Sequence, residues 1–389
     1  MRRAVSEYEG KDLLSLMPER LPVWYADHHR DLPWRDTGDP YDVWLSEIML
    51  QQTRVAAVIE YFLRFKEALP GIPELAACDE ERLMKLWEGL GYYSRVRNLQ
   101  KAAQKVMEAY GGRLPESAGE LRKLPGIGPY TAGAIASIAF GEAMPAVDGN
   151  VLRICARITE NRKDIALPET KKALEAALLE VFREACPPVH PGTLNQAMME
   201  LGATVCVPNG PPQCGICPVA DWCRSHAAGA EEALPVKSAA RPRKIEQRTI
   251  LLIMDGENVL IRKRPARGLL AGLWELPAQA GFLTEVQALE AAAALLEEVS
   301  GKTDAPLFEP VFIKKLPPAR HVFTHIEWEM EGWLIRVVPA ISQNGMPCAD
   351  PAENEMPGME PAGNTTCFAD PSELQTLYAL PSAFSAFLP

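Results

Sequence analysis

The sequence predicts a multidomain protein, an all-α domain followed by an α+β domain. Three observations carry that reading. Apolar residues recur at helical spacing from about residue 43 to residue 203. The texture changes after residue 247, where short apolar runs flank turn residues. The 389 residues, at about 150 per domain, suit two or three domains. With 47% hydrophobic and 23% charged residues, the composition is globular and excludes wholesale disorder.

Trp44, Ile48, Val55, Val58, Ile59, Phe62 and Phe65 predict one helix across 43–65, ended by Pro70, Gly71 and Pro73. Further helices are predicted over 81–86, 97–110, 118–123, 130–140, 150–159, 169–186 and 193–203, with Gly- or Pro-bearing turns between them. The helical domain is therefore placed at 1–225. Residues 226–247, rich in small, charged and Pro residues, read as an exposed linker. In the domain at 248–389, Arg248–Met254 and Val259–Lys263 form a hairpin around Asp255-Gly256-Glu257-Asn258. A helix follows at 285–299, strands lie within 321–338, and 341–366 is a long loop.

The net charge is -11. Residues 51–230 balance at 20 Lys+Arg to 20 Asp+Glu, whereas 231–389 hold 14 against 21. The total argues against tight non-specific binding to DNA and leaves room for a local basic groove. No apolar run is long enough to cross a bilayer, and Met1-Arg2-Arg3-Ala4 leads into Ser6-Glu7 without an apolar signal core. A cytoplasmic protein with no membrane partner is expected.

Cys206, Cys214, Cys217 and Cys223 are bunched, and in a cytosolic chain that reads as a metal or cluster site. One short C-x₂-C pair with a single Cys on either side favours a [4Fe–4S] cluster over zinc, which more often takes two short pairs. Leu121–Ala134, containing Leu124-Pro125-Gly126-Ile127-Gly128, has the form of a helix–hairpin–helix. Gly126 and Gly128 allow a tight turn whose N–H groups, with the next helix N-terminus, can hold a phosphate. Asp148 is by itself a good helix N-cap; after that hairpin it also suits a carboxylate facing a sugar. Glu47 is acidic in an apolar helix, and Gln51, Gln52 and Thr53 beside it can bond base edges or fill a gap in base stacking. Two separated carboxylates suit cleavage of a glycosidic bond, one protonating the leaving group and the other stabilising an oxocarbenium-like cation. Gly91–Arg97 offers aromatics and cations on one turn, with Arg95 and Arg97 expected to displace DNA counterions.

Taken in order, Leu32-Pro33-Trp34-Arg35, Trp44–Thr53, Gly89–Tyr93, Leu124–Gly128, Val147–Asn150, Met199–Gly202 and the four cysteines resemble the MutY family of adenine DNA glycosylases. Lys263-Arg264-Pro265, Gly268–Pro277 and His321–His325 look like the Nudix-like C-terminal domain of that family. The resemblance implies a helix–hairpin–helix glycosylase domain with an iron–sulfur subdomain, then a domain that recognises 8-oxoguanine. It implies removal of adenine from double-stranded DNA where that base faces 8-oxoguanine or guanine, by a monomer associated with the nucleoid. Carried over by motif, Glu47 is the general acid and Asp148 stabilises the sugar cation. Tyr130 stands where lyase relatives place a catalytic Lys, and Asn150 and Glu200 assist. Arg30, Leu32, Trp34, Arg35, Leu50 and Gln52 line or border the adenine pocket. Gln52 and Tyr92 enter the stack near the oxidised base, and Thr324 and His325 read its edge.

Three departures stand out. The first cysteine gap has seven intervening residues where the family usually has six, with Asn209-Gly210-Pro211-Pro212 available to loop out the extra one. Thr324 takes the place of a Ser. Around Glu297-Glu298-Val299-Ser300-Gly301 the spacing of a working Nudix box is missing, so the second domain reads as a binding module and not a pyrophosphatase. Two further readings compete: a glycosylase/lyase for damaged pyrimidines, which needs an amine nucleophile where Tyr130 stands, and a non-catalytic sensor of DNA damage, which intact Glu47 and Asp148 oppose.

Overall fold

A computed structural model describes residues 8–35, 37–238, 242–300, 308–339 and 366–388. The loop expected at 341–366 lies outside these residues except for Thr366, as does Gly301. In chain order the helices are α1 (Lys11–Leu14), α2 (Met17–His28), α3 (Pro40–Leu50), α4 (Val55–Ala68), α5 (Ile72–Ala77), α6 (Glu80–Leu86), α7 (Ser94–Tyr110), α8 (Ala118–Leu121), α9 (Pro129–Phe140), α10 (Gly149–Thr159), α11 (Pro168–Ala185), α12 (Pro191–Thr204), α13 (Arg224–Ala227), α14 (Glu285–Ser300) and α15 (Pro371–Thr376). The strands are β1 (Lys244–Asp255), β2 (Asn258–Lys263), β3 (Trp274–Glu275), β4 (Ala278–Ala280), β5 (Phe308–Val322), β6 (Ile326–Pro339) and β7 (Thr366–Ala369). They form two compact units that are not colinear with the sequence. Met1–Cys78 groups with Ser94–Ala240, and Asp79–Tyr93 groups with Arg241–Pro389.

In the helical unit, the helix expected across 43–65 is two helices, α3 and α4. The break follows from Arg95, whose Nη1 donates to the carbonyls of Ile48, Met49 and Gln51 at 2.8, 2.9 and 2.7 Å. Those carbonyls are the ones a helix end leaves open, and a buried guanidinium satisfies them where another helical turn would otherwise do so. Gln52 then adopts φ 57, which turns the chain into α4. The apolar pattern runs through because both helices bury one face. Pro73, expected to end a helix, sits in the first turn of α5, where its missing N–H costs nothing.

Helix α3 packs against α7 and α9, and α12 against α2, α9 and α10. The α12 crossings require glycine. A Cβ on Gly192 would lie 2.6 Å from Ile138 Cα, and one on Gly202 would lie 2.7 Å from Asn150 Cβ. Met17, Leu21, Leu178, Phe182 and Leu194 fill one core of this unit and are fully buried. Residues 226–247 do not behave as a free linker at their start. Arg157 Nε bonds the carbonyls of Glu231 and Leu234 at 2.9 and 3.0 Å, and Leu234 is buried. Small residues there permit close packing, which composition alone does not distinguish from flexibility.

The second unit is one sheet in the order β3-β2-β1-β6-β5, with β4 on β1 and β7 on β2. Strand β1 runs parallel to β6 and antiparallel to β2. Its alternation feeds two cores. Ile250, Leu252 and Met254 face Trp274, Trp328 and Phe384, whereas Leu251 and Ile253 face Ala288, Ala292 and Leu295 of α14. Glu297 and Glu298 point to solvent on α14. Helix α6 belongs here because Lys85 Nζ donates to the carbonyls of Leu374 and Tyr378 at 2.9 and 3.1 Å. Among the described residues no helix is long and apolar enough to cross a membrane.

The α12 crossing yields a test. Gly192→Ala must displace backbone at Ile138 and Ser137, so the urea midpoint should fall by the equivalent of about 1–3 kcal/mol with an unchanged m-value.

Candidate functional site

A cleft in the helical unit gathers residues from α3, α9, α10, α12 and the loop after α2. Arg30, Leu32, Trp34, Arg35, Glu47, Leu50, Thr53, Tyr130, Asp148, Asn150 and Glu200 all line it. The sequence reading missed Ser46, Gln196 and Met199, which line it too. Gln196 and Met199 lie at i, i+3 on α12 beside the anticipated Glu200, a helical spacing that was the available signal.

Helix α3 is apolar on nearly every face and is fixed at both ends. Asp39 caps its start by accepting from Tyr41 N at 2.9 Å, and Arg95 caps its end. Glu47 is thereby carried into the interior, only 6% exposed, and its Oε2 is buried without a hydrogen-bond partner. Burial pushes its carboxyl group up to about 7, and the nearby Asp148 charge adds to that; the Tyr130 hydroxyl and Arg35 pull the other way. Tyr130 is held well above its ordinary value by burial first, then by the charges of Glu47 and Asp148, so it remains a neutral phenol.

Asp148 fills both roles weighed from the sequence. It caps α10, with Oδ1 accepting from Val151 N at 2.8 Å, and it lines the cleft. Its Oδ2 accepts from Asn150 Nδ2 at 2.9 Å. Burial raises this carboxyl group, while the backbone N–H groups of Val151 and Asn150 and the charge of Arg153 favour its ionised form. Arg153, not anticipated, holds Asn150 Oδ1 at 2.9 Å and the carbonyls of Gly202 and Cys206 at 2.8 and 2.9 Å. Its i, i+3 spacing from Asn150 was the available signal.

Glu200 is fully buried between two arginines. Arg30 reaches it with Nε at 2.6 Å and Nη2 at 3.0 Å, and Arg35 Nη2 at 2.7 Å. Burial alone would raise this carboxyl group, but the arginine hydrogen bonds prevail and hold it low. It is a fixed anion that orients two cations at the cleft wall.

The hairpin is as expected in its turn. Gly126 has φ 76, and a Cβ there would lie 2.7 Å from Asn98 Cβ. Gly128 precedes α9, whose first turn has no side-chain cap. The preceding helix ends at Leu121, earlier than expected, because tighter turns carry the chain on to Ile127. Arg95 is corrected: it is buried on the end of α3 and does not belong to a phosphate-binding surface. Gln52 is exposed and outside the cleft lining. Gln51, not Gln52, reaches into the unit, donating to Thr131 Oγ1 at 3.3 Å.

In the second unit, Thr324 and His325 are exposed in the tight turn joining β5 to β6, not in a strand; Phe323 N bonds Ile326 O at 2.8 Å across it. Phe323 packs edge-on against Trp328 at a ring distance of 4.9 Å. Tyr92, exposed and at φ 48, lies with its hydroxyl 2.7 Å from Thr324 Oγ1.

The four cysteines surround a second cavity in the helical unit, walled also by Ile154, Ile158, Leu201 and Val219. Burial pushes Cys214 up to about 11 and Cys217 up to about 12, with neighbouring sulfurs adding to the rise. Such thiols stay protonated unless a cation draws their protons off. Four sulfur donors on one apolar cavity, with Arg157 Nη1 donating to Cys206 Sγ at 3.2 Å, fit an anionic thiolate-bound metal group. Cys214, His226 and Glu231 also bring donor atoms within 4.8 Å of one another, an N/O/S set that suits zinc. Within the first gap Asn209 and Gly210 lie in an exposed turn, where Gly210 has φ 77.

The HhH-GPD superfamily of base excision DNA repair proteins matches residues 45–184, and a NUDIX domain matches residues 249–388. An adenine DNA glycosylase of Mus musculus is 35% identical over 381 residues, covering 85% of this chain and 72% of its own. That of Homo sapiens is 35% identical over 361 residues, covering 79% of this chain and 64% of its own. A solved non-covalent endonuclease III–DNA complex is 26% identical, covering 57% of this chain and 99% of that one, at a TM-score of 0.48.

The capping role of Arg95 can be checked directly. Arg95→Met should lower stability by about 3 kcal/mol, as loss of several charge-assisted bonds to buried carbonyls requires. The salt dependence of DNA affinity in the same variant should keep its slope, since no phosphate contact is lost.

Proposed function

The chain belongs to the adenine DNA glycosylase family, and we propose that its cleft hydrolyses the N-glycosidic bond of adenine standing opposite 8-oxoguanine or guanine in double-stranded DNA. The observation that carries this reading is Glu47: a carboxyl group inside a cleft, raised to about 7, with one oxygen unpartnered. In the same cleft a second carboxyl group, Asp148, has donors that favour its anion. That is the division of labour acid-assisted departure of a base needs.

Adenine is flipped from the stack at a cost of a few kcal/mol and enters between Leu32, Trp34, Leu50 and Thr53. Glu47 gives its proton to the base as the bond to C1′ breaks, and the bonding pair leaves with adenine. Asp148 stabilises the sugar cation, and water adds at C1′ and releases a proton. Asn150 holds Asp148, and Glu200 holds Arg30 and Arg35 at the wall. Tyr130 supplies no amine, so the reaction stops at hydrolysis without a Schiff base. Gly126, Gly128 and the start of α9 take a phosphate. Gln52, Tyr92, Thr324 and His325 meet the opposite base. Cys206, Cys214, Cys217 and Cys223 would hold a [4Fe–4S] cluster, which would staple the chain after α12. The protein acts as a monomer on nucleoid DNA.

Single-turnover release of adenine from duplexes with A opposite 8-oxoguanine, guanine or thymine tests the reading; it requires release from the first two well above the third. Glu47→Gln should slow release by about 10²–10⁴-fold with duplex affinity retained.

The pH dependence follows from the same group. Glu47 must be protonated to act, so the wild-type rate should fall as pH rises through about 7, and the residual Glu47→Gln rate should lack that limb. For stability, the folded chain keeps a proton between 4.5 and about 7 that the unfolded chain releases, so this site loses stability as pH rises across that window. Glu47→Gln should therefore gain stability relative to wild type at about pH 8 and not at about pH 4.

The purified protein should be yellow-brown with about four iron atoms per chain. Cys217→Ser should lower iron content and soluble yield more than the single-turnover rate of whatever protein folds. Active, colourless protein loaded with zinc from iron-replete cells would assign the site to zinc.

A further inference from the structure

We propose that Lys85 and Glu88 are positioning residues for recognition of the base opposite adenine, because they fasten the helix that leads to Tyr92 onto the strand-bearing unit that presents Thr324. The proposal rests on the function proposed above and adds to it the residues that set the recognition pair.

Lys85 is largely buried, and its ammonium group spends its three donors on Leu374 O at 2.9 Å, Tyr378 O at 3.1 Å and Glu88 Oε2 at 2.6 Å. Glu88 Oε1 in turn accepts from Leu380 N at 2.7 Å. The two side chains thus form one clasp across residues 374–380. Lys263 bonds Glu81 at 3.0 Å near the other end of α6. Tyr378 stacks edge-on against Trp274 at 4.7 Å, and Leu380 is buried in the sheet core, so the clasp is anchored on rigid elements.

The chain leaving α6 has little freedom. The Trp87 indole donates to Gly91 O at 3.0 Å, and Gly89, Gly91 and Tyr92 have φ of 94, 67 and 48. For tyrosine this backbone region is one that side-chain-bearing residues avoid, and it persists only where the surroundings impose it. The result is a Tyr92 hydroxyl 2.7 Å from Thr324 Oγ1 in the β5–β6 turn. Tyr92 and Thr324 belong to the strand-bearing unit, whereas the cleft that holds Glu47 and Asp148 is built by the helical one. A clasp that fixes their pairing therefore acts on which opposite base is accepted, and leaves the acid and the carboxylate untouched.

The test uses the full chain carrying Glu47→Gln, so that binding is read without base release. Affinity for duplexes with A opposite 8-oxoguanine or guanine is measured by fluorescence anisotropy for Lys85→Met, Glu88→Ala and Glu88→Gln. The preference for 8-oxoguanine should fall about tenfold in Lys85→Met and Glu88→Ala, as for one or two lost hydrogen bonds, with the guanine duplex little changed. Glu88→Gln keeps an acceptor for Leu380 N and should retain most of the preference. Hydrogen exchange at 87–93 should rise in the first two variants and not in the third. If the two duplexes weaken equally, or the preference survives while exchange rises, the clasp is merely structural and the proposal is wrong. Failure of the wild type to release adenine from either duplex would overturn the reading of the cleft instead, and the binding preference would still decide this one.

Discussion

The enclosure of one carboxyl group, Glu47, is the constraint on which the helical unit is organised. A carboxyl group placed in apolar surroundings can remain there only protonated or paired, and Glu47 has no cation bonded to its free oxygen. Keeping it buried requires a helix that is apolar on almost all sides, and α3 is such a helix. A helix of that kind must have its ends satisfied from elsewhere. Asp39 does so at the start, and Arg95, reaching from α7, does so at the finish. The close crossings of α12, made possible by Gly192 and Gly202, then bring Glu200, Met199 and Gln196 to the same cleft.

Charge in that cleft is graded by what surrounds each group. Glu200 is as buried as Glu47 but is ionised, because two guanidinium groups fork onto it. Asp148 lies between these limits, with burial opposed by an N-cap, an amide and Arg153. Three carboxyl groups of similar intrinsic strength thus respond differently: burial raises Glu47 and Asp148, and the arginines hold Glu200 low. The same logic governs Cys214 and Cys217, whose thiols burial holds above their ordinary value. Arg153 bonds both Asn150 and the Cys206 carbonyl, so the two sites share one side chain.

The second unit recruits fifteen residues, Asp79–Tyr93, from the middle of the helical sequence. That arrangement places Tyr92 beside Thr324 although 232 positions separate them. Lys85 and Glu88 find backbone partners in the C-terminal segment, and such partners carry no signature in the sequence.

The sequence by itself determined most of the longer helices, the β1–β2 hairpin, the metal-type spacing of the cysteines, and many but not all of the residues that line the cleft with Glu47 and Asp148. These are local properties, periodicity and spacing, and a run of motifs in a family's order. What only the tertiary structure decided were the partners. The helix across 43–65 breaks because Arg95 arrives from another helix. Arg95 is a cap and not a phosphate ligand because its guanidinium finds buried carbonyls. Thr324 and His325 occupy a turn because β5 and β6 pair up to that point. Residues 226–238 hold to the helical unit because Arg157 binds their carbonyls. In each case the deciding contact joins backbone or charge across a long separation, and composition and spacing carry no information about which distant group will fill a hydrogen bond.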